Sequence, residues 1–86
     1  MQKIRVGVVG VGHLGQHHAR VYAELPDCEL VGVADVDARA AQRIARLYKT
    51  KAYTDYRDLL GQVDAASIVV PTVHHYAIAR DFLEHD

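Results

Sequence analysis

Gly10-Val11-Gly12-His13-Leu14-Gly15 spells G-x-G-x-x-G, a spacing whose chemistry is anion binding by the backbone. In such a turn the first glycine permits the reversal, the second lets the backbone approach a pyrophosphate, and the third lets helix and strand pack closely. The string alone is weak, because six-residue glycine patterns arise by chance. Its surroundings strengthen it. A short β-branched run, Ile4 to Val9, ends at Gly10, a helical pattern opens after the glycines, and Asp35 closes the next apolar run about 20 residues past Gly15, so the conditions of a dinucleotide fingerprint are met. Asp35 can accept hydrogen bonds from both ribose hydroxyls of an adenosine and would repel a 2′-phosphate, so NAD is expected over NADP. Two neighbours leave alternatives open. Asp37 could face the ribose, although it suits a helix N-cap better; Arg39 could pair with a phosphate, although Arg39, Arg43 and Arg46 read more simply as a solvated helix face.

Six histidines invite a metal hypothesis, and His13 and His17 have the i,i+4 spacing of a helical ligand pair. No third ligand stands at motif spacing and His13 belongs to the glycine turn, so no metal is expected. His18 falls on the apolar face and reads as a packed histidine, with His17 toward solvent. His74 and His75 follow the carboxyl end of a fourth strand, where open α/β sheets bind ligands, so either could reach a nicotinamide or a substrate. The plain alternative is a pair of surface histidines. Cys28 is the only cysteine, which rules out a disulfide within these residues and a cysteine zinc cluster, and it suits the reducing cytoplasm.

The elements that must position these residues alternate. Strands are expected at Ile4–Val9, Glu29–Asp35, Lys51–Tyr53 and Ala65–Val70. A helix follows the glycines with Leu14, His18, Val21, Tyr22 and Leu25 at helical spacing, and Pro26 stops it. A second, capped by Asp37, turns Ala41, Ile44, Ala45, Leu47 and Tyr48 inward. A brief third, about Tyr56 to Leu60, ends at Gly61, and a fourth opens at Thr72. Right-handed crossovers make this βαβαβαβα pattern a parallel sheet with helices on both faces, and as half of a Rossmann dinucleotide-binding fold its strands should run in the order 3-2-1-4. The fourth strand, Ala65 to Val70, then lies at an edge without a charge or proline inside it, and a homodimer through that edge is expected.

Composition agrees and excludes other classes. With 86 residues, half of them hydrophobic and 24% charged, the chain is one small globular domain with no second-domain boundary. A net charge of -1 gives no electrostatic footprint for nucleic acid, and no apolar run approaches a membrane span.

With these residues assembled, the chain resembles the N-terminal part of the glucose-fructose oxidoreductase, inositol dehydrogenase and rhizopine-catabolism family (Gfo/Idh/MocA). The segments that carry the likeness are RVGVVGVGHLGQHHAR, ELVGVADVDARAAQRIA, KAYTDYRDLL and VDAASIVVPTVHHYAIARDFLEHD. The resemblance implies that Gly10, Gly12, His13, Leu14 and Gly15 hold the pyrophosphate and that Asp35 holds the ribose. It further implies that Val70, Pro71 and Thr72 lie against the cofactor after the fourth strand and that His75 matches a histidine beside it. Thr72 stands where asparagine is common in the family. The family fold continues into a fifth strand ending in Glu-Lys-Pro, whose lysine lies near the reacting carbon, and then into a substrate domain. Neither is within residues 1–86, so no catalytic residue is assigned here. The resemblance implies the NAD(H)-binding portion of a dehydrogenase acting on a sugar, cyclitol or nucleotide-sugar hydroxyl, such as that of a UDP-hexosamine. A free-standing nucleotide-binding or interaction module without activity is the alternative.

Overall fold

A computed structural model describes residues 3–70 and 72–85 of the chain; Pro71, expected against the cofactor, lies outside the described residues. Four strands, β1 (Ile4–Val9), β2 (Cys28–Ala34), β3 (Lys51–Tyr53) and β4 (Ala65–Ile68), alternate with α1 (His13–Glu24), α2 (Ala38–Leu47), a 3-10 turn at Tyr56–Leu59, and α3 (Thr72–Glu84). Every pairing is parallel and the order is β3-β2-β1-β4, that of half a Rossmann sheet.

The alternation of side chains explains the two-sided burial. Val8 and Val33 point to one face, where they meet Ala19 of α1 and Ile44 and Ala45 of α2. Val9 and Ala34 point to the other, against Leu59 of the 3-10 turn and Ile78 of α3. Val8, Val33 and Leu59 are wholly buried, and each such side chain contributes about 1.5–3 kcal/mol relative to exposure. These two layers fix β1 and β2 as the central strands, and so fix where their carboxyl ends open.

Several boundaries differ from the sequence expectation. Strand β4 stops at Ile68 instead of Val70, because its partner β1 ends at Val9, opposite Ile68, and the glycine turn carries the chain away. One ladder bond outlasts the strand, from Val69 N–H to the Val9 carbonyl at 2.7 Å. Strand β2 runs from Cys28 to Ala34, leaving Asp35 just beyond its end. Helix α1 ends at Glu24, and Leu25, before Pro26, is extended at φ −75°, ψ 123°, as a residue preceding proline prefers.

The inward helix faces are narrower than periodicity suggests. Leu14 and Leu47 are 57% and 63% exposed, and the contact is made instead by Gly15 and Ala19 on α1 and by Ala41, Ile44 and Ala45 on α2. Leu14 sits in the first turn of α1 and Leu47 at the last position of α2, both at helix ends. His18 is half-buried with its ring tilted against Tyr22 at 6.4 Å, a packing position as expected, and His17 is exposed, its Nδ1 3.0 Å from Arg20 Nη2. No helix among the described residues is long and apolar enough to cross a membrane.

Candidate functional site

The carboxyl ends of the strands open into a groove of about 790 Å³. Its floor is the glycine turn. Gly10 has φ +90°, and a Cβ there would lie 2.1 Å from the Val69 carbonyl oxygen, so the turn is tucked under the end of β4 and only glycine fits. A Cβ on Gly15 would stand 1.8 Å from the Gly10 carbonyl oxygen, which is the close approach of helix to turn expected of the third glycine. Gly12 differs from both: a Cβ there would meet no atom within 4 Å. Crowding within the fold therefore demands glycine at 10 and 15, whereas at 12 the space is open.

Helix α1 begins at that open space without a protein anion. Its N-cap is Gly12, no side chain caps it, and its first turn carries no acid. Helix α2 shows the usual remedy, with the Asp37 carboxylate accepting from the amides of Arg39 and Ala40 at 3.1 and 3.3 Å. The first-turn amides of α1 therefore have no capping side chain, and the positive end of its dipole has no acid within that turn. His13 and Leu14, in this first turn, are exposed.

Asp35 braces the turn from the side. Its Oδ2 accepts from the Val11 amide at 2.9 Å and its Oδ1 from the Asp37 amide at 2.9 Å, so one carboxylate joins the glycine turn to the loop before α2. Each oxygen keeps a second lone pair for a hydroxyl donor. Asp35 lines the groove; Asp37 is occupied as the N-cap of α2 and does not.

Beyond Asp35 the wall is built from Val36, Thr54, Asp55, Tyr56 and Arg57, and on the opposite side from Val69, Val70, His74, Ala77 and Ile78. Val36 is 93% exposed, an apolar side chain beside the acid. Arg57 lines the groove and Arg39 does not, so the cation nearest in sequence to the acid is not the one on the wall. The Arg57 guanidinium is paired with Asp55, which holds that carboxyl below its ordinary range through the side-chain hydrogen bond. The Tyr56 hydroxyl donates to Asp81 of α3, and this bond, with partial burial, pushes its pKa above that of a free phenol. The Tyr56 ring lies 6.0 Å from that of Phe82, so the 3-10 turn and α3 are fastened together across the end of the groove. Of the two adjacent histidines, His74 lines the groove and His75, also exposed, does not; the resemblance had pointed to His75. Among the described residues no cluster has the makings of a metal site.

Sequence reasoning missed the stretch Thr54 to Arg57. The signal was available, since it immediately follows the carboxyl end of β3, and the rule applied to the end of β4 holds for every strand of an open sheet.

The model of an oxidoreductase family, GFO_IDH_MocA, with an NAD-binding Rossmann fold, matches residues 4–86. The chain belongs to this family. Family relatives agree along nearly the whole chain. It is 44% identical over 80 residues to UDP-N-acetylglucosamine 3-dehydrogenase of Acidithiobacillus ferrooxidans, covering 93% of this chain and 25% of that protein. The solved structure of that enzyme superposes with a TM-score of 0.90 at 41% identity, over 99% of this chain and 28% of that one. A myo-inositol dehydrogenase of Lactobacillus casei, solved in complex with NAD(H) and myo-inositol, gives a TM-score of 0.89 at 31% identity, covering 99% of this chain and 26% of that one. The chain therefore spans about a quarter of the length of these family members and corresponds to their NAD-binding Rossmann part.

Proposed function

We propose that residues 1–86 form the N-terminal dinucleotide-binding domain of an NAD-dependent dehydrogenase whose substrate is bound by a further domain. The observation that carries this reading is the uncapped N-terminus of α1 facing open space at Gly12, in a chain of the NAD-binding oxidoreductase family. The pyrophosphate rests on the amides of Gly12, His13 and Leu14, held there by the helix dipole, with Gly10 and Gly15 shaping the turn beneath it. Asp35 receives the adenosine ribose. Val70 and a histidine in the first turn of α3 flank the nicotinamide, with His74 better placed than His75 on the groove wall.

When bound, the cofactor supplies the hydride acceptor or donor. These residues bind and orient it, and no acid–base role within the 86 residues is assigned. The substrate class is a sugar, cyclitol or nucleotide-sugar alcohol, and similarity to the Acidithiobacillus enzyme favours a UDP-hexosamine. A nicotinamide cofactor and a single cysteine suit the cytoplasm.

Asp35→Ala tests the ribose contact. It should weaken NADH binding about tenfold and narrow the preference over NADPH, because the hydroxyl acceptor and the charge that repels a 2′-phosphate leave together. Parallel fluorescence titrations with both dinucleotides measure it, and an unchanged preference would count against the assignment.

We propose also that the 86-residue chain self-associates through β4, which pairs only with β1 among the described strands. The Ser67 hydroxyl lies 2.6 Å from that of Tyr22, so proline at 67 would disturb α1 as well as the edge. A concentration series in light scattering is the cleaner test. A mass rising toward the dimer is expected, and a strictly monomeric mass at the highest concentration would refute edge pairing.

A further inference from the structure

Among the described residues that line the groove, Arg57 carries the one permanent positive charge. That charge is already claimed. Its Nε lies 3.0 and 3.1 Å from the two carboxylate oxygens of Asp55, and its Nη2 lies 2.8 Å from one of them. Asp55 also accepts from the Arg57 amide at 2.9 Å and so caps the 3-10 turn, which holds both ends of the pair in one short loop.

The sheet sets this loop beside Asp35. Ala34 pairs with Tyr53, and the Asp35 amide donates to the Tyr53 carbonyl at 3.0 Å, so Thr54 and Asp55 leave β3 next to the point where Asp35 leaves β2. Neighbouring strands run about 4.8 Å apart, which puts both carboxylates at the same end of the groove, where an adenosine ribose would lie.

We propose that Asp55 is a specificity-determining residue: by engaging Arg57 it withholds the groove's cation from a 2′-phosphate, and it thereby secures the preference for NAD that Asp35 sets by repulsion. This rests on the dinucleotide reading above. A guanidinium fork matches a phosphate as well as a carboxylate, so an Arg57 released from Asp55 would take the extra phosphate in the geometry it now gives the acid. While the pair is closed, binding that phosphate requires breaking it beside a second negative charge. A cap with no other role predicts no effect on the choice of cofactor once another capping side chain replaces it.

Asp55→Asn and Asp55→Ser keep an oxygen for the Arg57 amide while removing the charge. The measurement is the ratio of NADPH to NADH dissociation constants, by fluorescence titration at low ionic strength, for the wild-type protein, both single variants, Arg57→Met and Asp55→Asn/Arg57→Met. Both Asp55 variants should move the ratio toward NADPH by about tenfold or more, and the double variant should lose most of that shift. An unmoved ratio in the folded Asp55 variants, or a shift kept whole in the double variant, would overturn the proposal. A wild-type protein that bound neither dinucleotide would instead overturn the dinucleotide reading itself.

Discussion

Gly12→Val should abolish NADH binding, weakening it by about a hundredfold or more, roughly 2.7 kcal/mol, while the protein stays folded. The asymmetry comes from where the new side chain goes. Position 12 has ordinary backbone angles, φ −66° and ψ −165°, and its Cβ meets no protein atom within 4 Å. Valine there gives up a favourable N-cap, at a cost of about 1 kcal/mol, and otherwise touches only the space assigned to the pyrophosphate. Calorimetric titration with NADH, alongside circular dichroism of the same sample, separates the two effects. Equal affinities for variant and wild type would remove the pyrophosphate from this turn.

Gly15→Ala should do the reverse, striking the fold before the site. The added methyl would lie 1.8 Å from the Gly10 oxygen and 2.8 Å from its carbonyl carbon, both backbone atoms held in the turn. Helix α1 must then lift from the turn, which draws Ala19 away from Val8 and loosens the core layer that α1 shares with α2. Overpacking typically costs 1–3 kcal/mol, and overlap with backbone belongs at the upper end, about 3 kcal/mol. In a domain of this size that lowers the midpoint of thermal unfolding by about 12 °C or more. A midpoint within a few degrees of wild type would show that the helix can yield without loss.

Positions 12 and 15 also show how far the sequence was legible. The glycine spacing, the strand before it and the acid after it identified the turn, because each residue there answers to a local steric or hydrogen-bonding demand. Strand order followed from reading the glycine turn as the start of half a Rossmann sheet, and Asp37 was recognised as a cap because capping needs only the residues beside it. Burial at helix ends was less legible. Leu14 and Leu47 have the right spacing for an inward face, yet both stand at helix ends, which periodicity does not register.

The wall from Thr54 to Arg57 escaped for a related reason. The residue types of Tyr-Thr-Asp-Tyr-Arg mark no site; the one signal is their place after the carboxyl end of β3, a strand of only three residues, and they border the groove because β3 lies beside β2. The same holds for the choice between His74 and His75, adjacent in the chain, of which only His74 lines the groove.

Amide chemical shifts recorded while NADH is titrated into the protein would report directly whether a dinucleotide sits on the amino end of α1. Saturable shifts are expected, largest at Gly10, Gly12, His13 and Leu14, with a second group at Asp35 and Val36. No saturable shift, or shifts concentrated along β4 and the carboxyl-terminal half of α3 with the glycine turn unmoved, would contradict that placement.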